Sequence, residues 1–133
     1  MATSDPVDDR APPEDPEDLL PEQSVLSFEE YLDMQQAIGN PSRFRILYAL
    51  KHRGDLSANE LEDAVGIAAN NLHYHLDELV DVGLVQNRKR KTPDSDGLYS
   101  YYRATGLGKA ILEHGVEELM RTENEYRDAY STE

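Results

Sequence analysis

Residues Ala68–Val85 read AANNLHYHLDELVDVGLV. At about 100° per residue, Leu72, Leu76, Leu79, Val80 and Gly83 gather on one side of a helix, with His75 at the edge. Asn70, Tyr74, Asp77 and Asp81 point the opposite way, and Asn71 and His73 lie on the flanks. The stretch is a helix with an apolar inner face and an outer face that begins in amides and aromatics. It contains no Arg or Lys, in a chain whose formal net charge is -14. What that outer face touches decides the reading of the whole sequence.

Working back from Ala68, Gly66 makes a tight turn, and Ser57-Ala58-Asn59-Glu60 is a capping box opening a short helix with Leu61, Ala64 and Val65. Before that, Asn40 is an N-cap and Pro41 a first helical residue for a helix carrying Phe44, Ile46, Leu47 and Leu50. Phe28, Tyr31, Leu32 and Ile38 mark a first helix that ends near Gly39. Working forward, Gly83 stops the quoted helix. Two strand-like runs, Leu84 to Lys91 and Leu98 to Ala104, flank a turn with Pro93, Asp94, Asp96 and Gly97, which is a β-hairpin. Thr105 caps a last helix expected to run to about Tyr130, with Ile111, Leu112, Val116, Leu119 and Met120 on its apolar side.

The fold class that follows is mainly α with a small β-hairpin wing. Two helices joined by a tight turn, the second followed by a hairpin, make a winged helix-turn-helix. The expected division is an acidic tail over residues 1–25, the winged domain over 26–105 and a C-terminal helix over 106–133. The tail holds five of the seven prolines and few apolar residues, too little to offset its ordering entropy, so disorder is expected there.

Composition narrows the chemistry. The chain has no cysteine, which excludes disulfides, thiolate metal sites and thiol redox sensing. No apolar run has the length to cross a bilayer and the start is acidic, so a cytoplasmic protein is expected. The 27 acidic residues against 13 basic ones argue against a polyanionic partner. They also coat the helices, as Glu60, Asp63, Asp77, Asp81, Glu113 and Glu118 do, which is the pattern of adaptation to concentrated salt. There the Debye length is only about 3 Å and repulsion is screened.

Within that acidic chain the outer face of the quoted helix still suits DNA. Asn pairs bidentately with adenine N6 and N7, and a Tyr ring meets a thymine methyl. Recognition helices present their N-terminal residues to base edges, which is where Asn70, Asn71, His73 and Tyr74 fall. Cations appear where a wing needs them: Arg88, Lys89, Arg90 and Lys91 in succession, then Arg103 on the returning strand. Arg43 and Arg45 add further expected phosphate contacts. The plain alternative for the basic run is an edge strand protected from pairing.

The stretches NPSRFRILYAL (40–50), SANELEDAVGIAANNLHYHLDELVDVGLV (57–85) and YSYYRAT (99–105) closely resemble the ArsR-like winged helix-turn-helix repressors, in particular the acidic versions of halophilic archaea. The resemblance covers roughly residues 28 to 120. It implies a homodimeric transcriptional regulator, a repressor, with the helix at 68–82 in the major groove and the wing at 86–103 on the phosphate backbone. It also implies an N- and C-terminal helix interface, for which Phe28, Leu32, Leu112, Val116, Leu119, Met120 and Tyr126 are the candidates. Two departures limit it. Relatives that sense soft metals use cysteines, absent here, and many members carry Arg where this chain has Tyr74.

Other constellations have plainer readings. His73 and His75 are two apart on a helix and cannot grip one ion, so His75 is expected as a hydrogen-bonded histidine near the core. His114, Glu117 and Glu118 have ligand spacing but read better as a solvated helix face. Gly106-Leu107-Gly108-Lys109 lacks the spacing of a phosphate loop and reads as helix capping. No nucleophile-base pair emerges, so neither an enzyme nor a metal or other cofactor is expected, and the effector is unknown. The competing function is a winged-helix module that docks on protein of the transcription machinery, for which the acidic surface speaks.

Overall fold

Ser-x-x-Glu opens two helices. In both, the Ser hydroxyl accepts from the Glu N–H and the Glu carboxylate accepts from the Ser N–H: Ser27 with Glu30 at 3.1 and 2.8 Å, Ser57 with Glu60 at 3.2 and 2.8 Å. The first opens α1 (Phe28–Ile38) and the second α3 (Ala58–Val65). The Ser27 box was as legible in the sequence as the Ser57 one.

The structure is a computed structural model describing residues 11–91 and 98–130, with side chains to 127 in the second segment. The expected turn at 93–97, the first ten residues of the tail and the Tyr130 side chain lie outside the described residues. The chain divides into two units that meet between Leu32 and Asp33. In the first, Asp15 accepts from Glu17 N–H at 3.0 Å and caps a short 3-10 turn, Pro16–Leu19, whose residues are all exposed.

The second unit holds the core. Asn40 caps α2 (Pro41–Arg53) by accepting from Arg43 N–H at 3.1 Å. After α3, Gly66 takes the left-handed conformation at φ 69°, and α4 (Ala69–Asp81) follows. Ile46, Leu47 and Leu50 of α2, Leu61 of α3, and Leu72, Leu76 and Leu79 of α4 are fully buried, so the apolar faces read from the periodicity meet one another. Among the described residues, no helix is long and apolar enough to cross a membrane.

Strands β1 (Val85–Lys91) and β2 (Leu98–Ala104) pair antiparallel, Val85 opposite Ala104 and Lys91 opposite Leu98. The loop after α2 joins this sheet by one bridge: Leu56 N–H donates to Tyr102 O at 3.1 Å and Tyr102 N–H to Leu56 O at 2.8 Å. Thr105 then caps α5 (Gly106–Glu113). Its hydroxyl accepts from Gly108 N–H at 3.0 Å and donates to Gly83 O at 2.8 Å. Gly108 packs so closely on the base of the wing that a Cβ there would stand 2.2 Å from Leu84 O.

The last helix is not continuous as expected. α5 ends at Glu113, α6 spans Val116–Arg121, and a 3-10 stretch covers Glu123–Tyr130. At Gly115 the chain folds so tightly that a Cβ would lie 2.5 Å from Ile111 O. The break lets α6 turn Glu117 inward against α2, where it is buried at 5% exposure.

Candidate nucleic-acid interface

Four of the residues singled out by periodicity, Asn70, Asn71, His73 and Tyr74, are all exposed on the first two turns of α4. Ala68 offers no side-chain cap, so the free N–H groups of α4 stand open, and Asn70 Oδ1 turns back to accept from Asn71 N–H at 2.9 Å. The Asn70 amide nitrogen is left to donate outward. Tyr74 is 59% exposed, its ring set edge-on 5.2 Å from the imidazole of His75. Asp77 and Asp81 are exposed farther along. Burial raises the Tyr102 hydroxyl above the usual tyrosine value, and the charge of Asp77 adds to this.

His75 is the hydrogen-bonded histidine expected. Arg43 Nη1 lies 3.2 Å from its Nδ1. A guanidinium only donates, so Nδ1 accepts and the ring proton sits on Nε2. Burial holds the His75 imidazole below its usual pKa, and the Arg43 charge lowers it further. Arg43 also donates from Nε to Ala37 O at 2.8 Å. Expected as a phosphate contact, Arg43 is half-buried and ties the start of α2 to Ala37 and to α4. Arg45, two residues on, is exposed.

The basic run splits by strand alternation. Arg88 stands opposite Tyr101, Arg90 opposite Tyr99 and Gln86 opposite Arg103, so these share one face of the hairpin. Lys89, opposite Ser100, and Lys91, opposite Leu98, share the other. The guanidinium face is a ladder: Arg90 lies 4.3 Å from the Tyr101 ring centre and 5.9 Å from Tyr99, and Arg103 is 6.0 Å from Tyr101. Because Leu56 bridges Tyr102, Asp55 falls beside Arg103 and receives two bonds from it, Nε to Oδ1 at 3.0 Å and Nη2 to Oδ2 at 2.9 Å. Arg90 Nη2 reaches the same Oδ2 at 3.7 Å. Hydrogen bonds from Arg103 hold the Asp55 carboxyl below its ordinary value, helped by the charges of Arg103, Arg90 and Arg88. Arg103, expected on phosphate, thus already has a carboxylate partner. Lys89 and Lys91 are exposed.

Of the residues expected at a helix interface, Leu112 is fully buried within the protomer and is not on offer to a second copy. Phe28 is half-buried, while Leu32, Val116, Leu119, Met120 and Tyr126 are exposed. The sequence reading placed Glu117 on a solvated face. It sits instead under α2, with Lys51 Nζ at 2.8 Å, His52 Nε2 at 2.9 Å and Arg121 Nη1 at 3.2 Å. Burial pushes its carboxyl pKa up, but the Lys51 and His52 hydrogen bonds outweigh this and leave it lowered. Among the described residues no group of three His, Asp or Glu is placed to hold a metal, and Glu117 is not gathered with His114 and Glu118.

Residues 38–87 match a family model described as a helix-turn-helix domain. Transcription factor E of Ignicoccus hospitalis is 28% identical over 108 residues, covering 74% of this chain and 62% of its own length. The chain thus spans less than two thirds of that relative. Among solved structures, reduced HlyU from Vibrio cholerae superposes with a TM-score of 0.55 at 26% identity, covering 71% of this chain and 88% of its own. A homodimeric winged helix-turn-helix DNA-binding domain from Mycobacterium bovis, a possible ArsR-family transcriptional regulator, gives 0.56 at 22% identity, covering 79% and 87%. The fold is a winged helix-turn-helix.

Proposed function

We propose that this winged helix-turn-helix protein, a DNA-binding transcription regulator, acts as a homodimeric repressor of the ArsR-like type that reads a two-fold site. In this reading residues 68–82 enter the major groove and the wing, 86–103, lies on the phosphate backbone. The observation that carries it is the pairing of an exposed reading face without Lys or Arg at the start of α4 with exposed Lys89 and Lys91 on the adjoining hairpin. Asn70, Asn71, His73 and Tyr74 meet base edges; Lys89, Lys91, Arg88 and Arg45 meet phosphates. Residues 106–133 supply the dimer surface. Val116 and Met120 line an open, largely apolar groove of about 1150 Å³ with Ile38, Phe44 and Tyr48, and Leu119 and Tyr126 are exposed nearby in sequence. A second copy covers these residues, as the homodimeric Mycobacterium bovis domain supports. The acidic helices fit a halophilic archaeal source, where counterion release adds little and base contacts and bridging water dominate affinity.

The test is capture and sequencing of genomic fragments by the purified chain in molar KCl, beside an Asn70→Ala/Tyr74→Ala double variant. Enrichment of a palindromic site by the wild type alone is expected. A second reading, docking on protein of the transcription apparatus, is favoured by the acidic Asp77 and Asp81 beside the reading face and by the name of the Ignicoccus relative. A partner that co-purifies through nuclease treatment, with no fragment enriched, would replace the first reading by this one.

A further inference from the structure

Resting on the DNA reading, we propose that Asp55 sets how much charge the wing offers to phosphate, holding Arg103 and Arg90 as an internal stand-in that a DNA backbone must displace. The placement is built into the fold. The Leu56–Tyr102 bridge joins the loop after α2 to the sheet, and it sets Asp55 beside Arg103. The geometry is that of a phosphate contact: both carboxylate oxygens accept in parallel from one guanidinium, at 3.0 and 2.9 Å. The second guanidinium, Arg90, leans on the same oxygen at 3.7 Å while stacked over Tyr101.

The cluster is also open. The side chains of Asp55, Arg103 and Arg90 are 28%, 42% and 54% exposed, so solvent and an incoming anion reach them, and such a pair contributes little to stability. The other carboxylate near this face, Glu60, is occupied by the Ser57 N–H at 2.8 Å and the Tyr99 hydroxyl at 3.4 Å. Asp55 alone therefore faces the guanidiniums among the described residues. A carboxylate here lowers affinity for any phosphate backbone without touching the base-reading helix.

The experiment is titration of a random-sequence duplex by the full-length chain and its Asp55→Asn variant across a KCl series. The variant is expected to bind about tenfold tighter at fixed salt, with a salt slope steeper by about one. In an Arg103→Gln background the same change should gain clearly less. Thermal midpoints and Asp55→Ser serve as the folding control and second variant. Affinity unchanged or weakened in both Asp55 variants, with the wild type binding, overturns the inference alone, because Asp55 would then position Arg103 for phosphate. A wild type that binds no duplex at any salt overturns the DNA reading and this inference together.

Discussion

The reading helix and the wing treat charge in opposite ways. The exposed start of α4 has no Lys or Arg and meets its surroundings with amides, an imidazole and a phenol. The hairpin has five cations on fourteen described residues, yet sorts them, ammoniums on one face and guanidiniums on the other, where Arg90 and Arg103 lie against Tyr101 and share Asp55. In the proposed function, recognition and attraction are thus carried by different elements. An acidic chain can keep its reading surface neutral only if attraction is supplied elsewhere and held in measure.

The harshest test removes what both regions hang from. Gly108→Val would drive side-chain atoms into Leu84 O and Leu47, and should cost about 3 kcal/mol or more, read as a fall in the urea midpoint. Gly106→Ala, with open space around its added Cβ, should stay within about 0.5 kcal/mol of wild type. If both glycines tolerate substitution, α5 does not brace the wing as described.

Next in size is the loss of discrimination in Asn70→Ala/Tyr74→Ala, about 1–3 kcal/mol between the preferred site and a scrambled one. Unfolding should be unchanged, because both side chains are exposed. A uniform loss across all sequences would erase the contrast between helix and wing. Lys89→Ala/Lys91→Ala should do the reverse, weakening binding to every duplex and making the salt slope shallower by about two, with sequence preference intact.

The smallest effect concerns acid. His75 has a folded pKa below its unfolded value of 6.5, so the folded state binds fewer protons. Its contribution is therefore present above 6.5 and is lost as pH falls through the lower folded pKa. Protonation would set imidazolium against Arg43, and the loss should be small beside the effects above. His75→Gln should remove that acid dependence from denaturation midpoints measured across this window. Glu117 acts in a separate window: its lowered pKa gives stability that is present above 4.5 and lost below it.

Local signals carried most of the fold. The Ser57 capping box, the Asn40-Pro41 start and the leucine stripes are each written within a few residues, and the structure places them as read. What escaped was pairing across the chain. Asp55 meets Arg103 across 48 residues and Lys51 meets Glu117 across 66, and no periodicity announces such partners. His75 was legible as a hydrogen-bonded histidine, but its partner Arg43, 32 residues away, was not. One finding was within reach: a strand has period two, so Arg-Lys-Arg-Lys had to divide between faces. The break before α6 was less so, because Gly115 alone does not tell a kink from a continuing helix.

Thr105 joins elements otherwise treated singly. Its hydroxyl grips the carbonyl of Gly83 behind the reading helix and the N–H of Gly108 in the helix that follows, while its own N–H holds Leu84 O at 3.0 Å. Thr105 is the one residue between β2 and α5, so these three bonds meet in a single side chain and its own backbone. A displacement of α5 would therefore reach Gly83, behind α4, through this one hydroxyl.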